Sequence, residues 1–234
     1  MNELRTFTFG KGSHLSREQG LCVMEAVAML AGEAHSDSPA CADPAISKLA
    51  IWVNDSCDDK LRNELLRDLP WRIVGTKATA EIEQQRAYMA ADWALRFVCP
   101  IILRRAGLKD HATTLESLGS VVDQESATAA YAAASAAYAA AHAAAYAAAH
   151  AAANAAYAAA HAAYATANAG ASAAASAAYA AANDLEVIQR GCVDLIDRMI
   201  RITEPQERIC DEPAYAASIC ADVPDFEFPE TRSL

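Results

Sequence analysis

Over 57 consecutive residues, 127–183, this chain has no Asp, Glu, Lys or Arg. A solvent-facing helix carries charge and a core helix carries large apolar side chains, so a stretch with neither belongs to no ordinary class of segment. Basic clusters are missing elsewhere too. The net charge is −11 and all of it lies outside 127–183, which argues against nucleic acid and anionic membranes as partners. Long apolar runs are also absent: alanine is only marginally apolar, and a polar or aromatic residue recurs at every turn of the uncharged stretch, so no membrane span is expected. Met1-Asn2-Glu3-Leu4-Arg5 lacks the apolar core of a signal peptide, and none is expected there. The seven cysteines are odd in number, without framework spacing and without a CxxC pair, which fits a reducing cytoplasm better than a secreted disulfide scaffold. No HExxH sequence is present.

In place of charge, 127–183 holds 39 alanines. The interruptions are spaced. Tyr131, Ser135, Tyr138, His142, Tyr146, His150, Asn154, Tyr157, His161, Tyr164, Asn168, Ser172, Ser176, Tyr179 and Asn183 follow at steps of three or four. Fourteen steps cover 52 residues, a mean of 3.7, which is the repeat of an α-helix bearing one polar stripe. Alanine loses no side-chain entropy in a helix, so the whole stretch is expected to be helical. A single rod would be about 85 Å long at roughly 1.5 Å per residue, so the helix either projects or folds back, with Gly170 the one plausible break. The methyl faces gain contacts only when covered, so they are expected to pack, with the tyrosine and histidine stripe more exposed than the alanines opposite it.

The flanking regions read as ordinary helices. Thr6 to Phe9 alternate before Gly10 and Gly12, giving an extended arm. Ser16 followed by Gln19 has the form of a capping box, and the apolar run Leu21–Leu30 ends at Gly32, so a first helix is expected over 16–31. Asp43-Pro44 opens a second helix to about Asn54, and Asp58 or Asp59 a third that Pro70 ends. Trp71 to Thr76 reads as a connector. Thr79 opens a long helix whose apolar positions include Tyr88, Met89, Trp93 and Phe97, with Pro100 kinking or ending it, and residues 108–118 give a further short helix. After the alanines, 183–203 is strongly amphipathic, and Pro205, Pro213, Pro224 and Pro229 make 204–234 a loop-rich acidic tail. The fold class is therefore all-α: a helical bundle with a long alanine-rich helix or hairpin and a short extended arm. The expected organisation is a helical domain over 1–122, an alanine-rich region with its packed helix over 123–203, and the tail over 204–234.

Potentially reactive groups concentrate near the start, at His14, Cys22, Glu25, His35, Asp37 and Cys41. Cys22 and Glu25 are three apart and share a helix face, and the other residues lie in segments able to fold over it. Cys and His are zinc ligands, and Cys with His and a carboxylate can make an activated thiol. Against this, buried cysteine is common, and Asp37 and His35 suit turn caps and loop donors. Glu25, alone within Leu21–Leu30, is expected to be buried with His14, His35 or a backbone amide as its partner. A second candidate is the stripe itself, Tyr138, His142, Tyr146, His150, Tyr157, His161 and Tyr164, because tyrosine offers rigid contact area with a polar tip. His142 and His150 are eight apart, about 12 Å along one helix, too far to share a metal.

The segments Gly12-Ser13-His14, Gly20 to Val27, Ala31 to Cys41 and Arg72 to Thr76 resemble a family of uncharacterised proteins from actinobacteria and their bacteriophages, whose C-terminal halves are also alanine-rich. The resemblance spans about residues 10–115 and implies a cytoplasmic, phage-borne protein; it brings no activity with it. The alanine-rich half is similar in composition to helical immunity proteins of the same bacteria. The expected function is a non-enzymatic binding protein, a phage-borne or immunity-type factor that engages a protein partner or itself, with no cofactor. The alternative is a metal-binding or thiol-dependent enzyme, with zinc at the His14/Cys22/Glu25/His35/Asp37/Cys41 cluster.

Overall fold

A computed structural model describes residues 8–105, 107–143 and 185–202. Its helices are α1 (Val23–Leu30), α2 (Pro44–Ser56), α3 (Asp59–Leu66), α4 (Leu69–Ile73), α5 (Ala80–Trp93), a π-helical turn (Ala94–Val98), α6 (Cys99–Arg105), α7 (Lys109–Glu116), α8 (Gln124–Ala143) and α9 (Leu185–Arg201). Among the described residues there is no strand, and the fold is all-α.

The centre of the bundle is α1, in which only Met29 is not fully buried. It packs on α2 and α4, α2 in turn packs on α5, and α9 lies against both α2 and α5. The heptad-like set Ile188, Cys192, Leu195, Ile196 and Met199 of α9 is buried there, which is what the strong amphipathicity of 185–201 demands. Trp52 of α2 meets Trp93 of α5 edge to face, with centroids 6.4 Å apart.

Helix starts follow their caps. Asp43 accepts from the Ala45 and Ile46 amides with Pro44 at the first helical position, and Asp58 accepts from Leu61. The first helix departs from the expected 16–31: it begins at Val23, and residues 16–20 are turns. Ser16 and Gln19 have capping-box spacing, but Gly20 at φ +142° breaks the chain there. The box is instead made by Cys22 and Glu25, same spacing, six residues later. Gly32, at φ +69°, follows the helix end as expected. Pro70 does not terminate a helix. Instead, α3 stops at Leu66 and Pro70 lies in the first turn of α4, which takes in Trp71 to Ile73 of the supposed connector.

Pro100 does not end its helix, which runs on to Arg105. The proline cannot donate an N–H, and the ladder is taken up by a π turn in which the Cys99 amide bonds to the Ala94 carbonyl. The extra residue shifts the phase of everything around it. Phe97, expected on the apolar face, is consequently 38% exposed.

Seventeen residues of the alanine stretch, 127–143, fall within α8. Ala127, Ala130, Ala134 and Ala137 are buried as one stripe, and α8 packs on α7. The alanine surface is thus partly packed, but the polar row is not the exposed side. Tyr131 and Ser135 are half-buried at the edge of the contact, while Ala129, Ala132 and Ala136 face out. Tyr131 packs against the core beside this stripe. Gly170, the remainder of the alanine stretch and the 204–234 tail lie outside the described residues.

Candidate functional site

The arm formed by residues 8–21 closes on itself where the Gly10 N–H donates to the Leu21 carbonyl at 2.9 Å. The His14 ring fills the resulting loop. A Cβ at Gly10 or Gly20 would lie 2.6 or 2.7 Å from this ring, so both positions must be glycine for the imidazole to fit. The arrangement is that of an Ω-loop packed by its own side chain.

Glu25, 1% exposed, holds this loop to α1. Its Oε1 accepts from the His14 N–H at 2.5 Å, and its Oε2 accepts from the His14 ring Nδ1–H at 2.8 Å and the Cys22 N–H at 2.7 Å. An ionised carboxylate only accepts, which fixes the His14 proton on Nδ1. His35 Nε2 donates to the His14 carbonyl at 2.9 Å and lies 3.7 Å from Glu25 Oε1. Burial pushes the Glu25 pKa up. The donors from His14 and Cys22 more than reverse this, so the carboxyl sits below its ordinary value. The expectation that Glu25 is buried with a specific partner agrees with this geometry.

Four of the six reactive candidates therefore meet: His14, Cys22, Glu25 and His35. Asp37 and Cys41 are placed elsewhere. Asp37 accepts from the Ser38 hydroxyl, and the Cys41 N–H donates to Glu33, whose other oxygen takes the Ala40 N–H. The Cys22 thiol is buried, accepts the Glu25 N–H at 3.4 Å, and is pushed up to about 12 by burial and by the Glu25 charge beside it. A thiol so placed is a helix cap, the opposite of an activated nucleophile. Cys57 and Cys99, raised by burial to about 11 and about 12, are equally unsuited. Among the described residues no three His, Cys, Asp or Glu side chains are arranged to hold a metal ion. What the cluster does chemically is fasten a loop. Its polar groups are turned toward one another, and the buried His35 Nδ1 has no hydrogen-bond partner among the described residues.

Polar groups of α2 and α3 continue the fastening. Asn54 donates to the Gly10 carbonyl, Asp55 accepts from the Gly12 N–H, and Asn63 accepts from the Phe9 N–H. Buried Arg62 donates to the Asn54 and Cys57 carbonyls at the end of α2 and to the Phe9 carbonyl.

The second sequence candidate is only touched by the structure. Tyr138 and His142 lie on α8 by backbone, and Tyr146, His150, Tyr157, His161 and Tyr164 are outside the described residues.

A site the sequence reading missed lies at the π turn. Asp92, Trp93, Arg96 and Phe97 face Gly191, Asp194 and Arg198 of α9 across an open groove of about 450 Å³. Phe97 stacks on Trp93 with centroids 6.3 Å apart, and a Cβ at Gly191 would come within 2.9 Å of the Phe97 ring. Gly191 is therefore the position that lets the exposed ring lie against α9. The Trp93 indole N–H beneath it is buried without an acceptor. Asp92 and Arg96 pair with each other and anchor the approach to α8 through the Val121 N–H and the Leu118 carbonyl. The signal in the sequence was Gly191 inside an otherwise unbroken amphipathic helix.

Compared with family models, with curated proteins and with solved structures, the chain matches none. No helix among the described residues is long and apolar enough to cross a membrane.

Proposed function

We propose that this chain is a non-enzymatic helical binding protein that engages a protein partner through the outward face of α9 and the adjoining π turn. One observation carries the proposal. Of the five large hydrophobic side chains exposed among the described residues, three (Phe97, Val187 and Ile202) belong to this face. Monomeric surfaces scatter such residues singly, and their concentration beside an open groove marks a contact surface. A phage-borne or immunity-type factor working in the cytoplasm, as the resemblance implies, is the kind of protein this reading describes. The alternative, an enzyme at His14, Cys22, Glu25 and His35, draws less support because those groups are already bonded to one another.

The test is photo-crosslinking in cells that express the full chain, with a photoreactive residue at position 97 or, as control, at exposed Val122 on the approach to α8. A discrete covalent adduct from 97 and none from 122 supports the reading. Equal labelling from both positions, or none from either, overturns it.

A further inference from the structure

We infer that the segment Asp225-Phe226-Glu227-Phe228 of this chain docks in the groove between the π turn and α9 and competes there with the partner; the inference concerns regulation of the binding face above and rests on that reading. The segment belongs to the tail outside the described residues. In it acids and aromatic rings alternate, between Pro224 and Pro229. Proline at either end disfavours a helix, and in extended backbone of period two both rings point to one side and both carboxylates to the other. Such a segment offers apolar rings to the floor of a groove and acids to its rim.

The groove answers that pattern. Its apolar surface is the Phe97 ring, 38% exposed and stacked on Trp93, and a further ring laid against it gains aromatic contact. Its rim is basic toward the end of α9. Arg198 lines the groove, Arg201 lies one turn further on, and both are exposed without an ion pair to any described residue, whereas Arg190 pairs with Glu64 and Glu186. The two carboxylates of the lining are not equivalent. Asp92 is engaged by Arg96 and the Val121 N–H, while Asp194 is exposed and unpaired, one turn back from Arg198. It repels acids from that end, so the docked segment keeps its carboxylates toward Arg198 and Arg201.

The chain leaves α9 at this basic end. Ile202 is about 12 Å along the helix from Asp194, at roughly 1.5 Å per residue, and 23 residues separate it from Phe226. An unstructured chain of that length averages roughly 25 Å end to end, so the groove is within reach and a tethered segment competes at an effective concentration on the order of millimolar. No other stretch of the tail puts aromatic rings next to acids: Tyr215 stands between Ala214 and Ala216.

Photo-crosslinking within the purified full chain tests this, with circular dichroism as the check on folding. A photoreactive phenylalanine analogue at position 228 is expected to link to residues 92–98 or 191–198 of its own chain, mapped by mass spectrometry, with a yield independent of protein concentration. The same analogue at position 215 is expected to give no such link. Arg198→Glu should lower the yield from 228 about two- to fivefold, the scale of an exposed charge pair, and Asp225→Lys/Glu227→Lys in the same chain should restore it. In cells, Phe226→Ser/Phe228→Ser should raise capture of a partner from position 97. The docking is overturned by links from 228 that map elsewhere or form between chains, by equal links from 215, or by a yield that ignores the reversal at Arg198. If 228 finds no groove but 97 still captures a protein, the docking alone falls. If 228 links to the groove but 97 captures nothing in the double serine variant, the partner reading falls and the competition with it.

Discussion

Two polar knots hold this bundle together, and they are built on opposite plans. Around Glu25 a single buried negative charge is surrounded by hydrogen-bond donors, the His14 and Cys22 amides and the His14 ring. At Arg86 two opposite charges are buried completely: Nη1 reaches Asp43 at 2.8 Å and the Thr76 carbonyl at 2.6 Å, and Nε reaches the Met199 carbonyl at 3.1 Å. Asp43 is at the same time the N-cap of α2, and Met199 lies in the last turn of α9. Each charge therefore sits at the helix end whose dipole favours it. The Glu25 knot joins residues 11 positions apart, whereas Arg86 and Met199 are 113 apart. A local knot restrains a loop. A long-range knot restrains the fold, and its loss must be felt everywhere.

The largest effect is expected where the charges are paired. Arg86→Met leaves Asp43 buried without its countercharge and frees a C-terminal carbonyl of α9, a loss of about 3–5 kcal/mol. Urea unfolding followed by circular dichroism measures it, and a loss smaller than that of Glu25→Ala would reverse the ranking of the two knots. Glu25→Ala strands two backbone donors and an imidazole for about 2–3 kcal/mol. Hydrogen exchange should show the cost as lost protection of residues 9–22 with α9 unchanged; simultaneous loss in α9 would mean the Glu25 knot is not local. Glu33→Ala frees only amides at the surface and should cost about 1 kcal/mol or less.

A control outside both knots comes next. Ala134→Leu forces an isobutyl group into the buried alanine stripe of α8 and should cost about 2 kcal/mol, while Ala136→Leu, on the exposed side, should leave the melting temperature unchanged. Equal melting temperatures for the two variants would mean that the alanine contact is not close-packed. The smallest effect concerns acid. Because the Glu25 carboxyl is held below its ordinary value, its contribution is fully present above the unfolded carboxyl pKa of about 4.3 and is lost as pH falls through the folded value. Stability measured from pH 6 downward should therefore fall less steeply in Glu25→Gln than in wild type; identical acid limbs would show that Glu25 does not titrate with unfolding.

The sequence made the helices legible wherever a cap or a break acts locally, as at Asp43-Pro44, Asp58 and Gly32. It also made Glu25 conspicuous, because a carboxylate inside Leu21–Leu30 needs a partner whatever the fold. It did not show where α1 starts, since Ser16/Gln19 and Cys22/Glu25 have the same spacing, and the backbone of Gly20 and the bonds from His14 to Glu25 distinguish them. Nor did it show the groove at Phe97. An α-helical wheel places this ring inside, and only the extra residue of the π turn, forced by the missing amide of Pro100, turns it out. Asp37 and Cys41 fell away from the cluster because Glu33 draws their loop toward its own carboxylate through the Ala40 and Cys41 amides.

The loop around His14 has a consequence for covalent continuity. Its tip carries exposed Leu15 and Arg17, an accessible site for a trypsin-like protease. Both sides of such a cut would stay in place. The upstream piece is held by Glu25 through His14, by Asp55 through Gly12 and by Asn54 through Gly10, while the downstream piece is the body of the protein. A nicked chain would thus keep its native form with residues 8–17 attached by these hydrogen bonds and by Phe9 in the core, and would separate into two fragments only on unfolding.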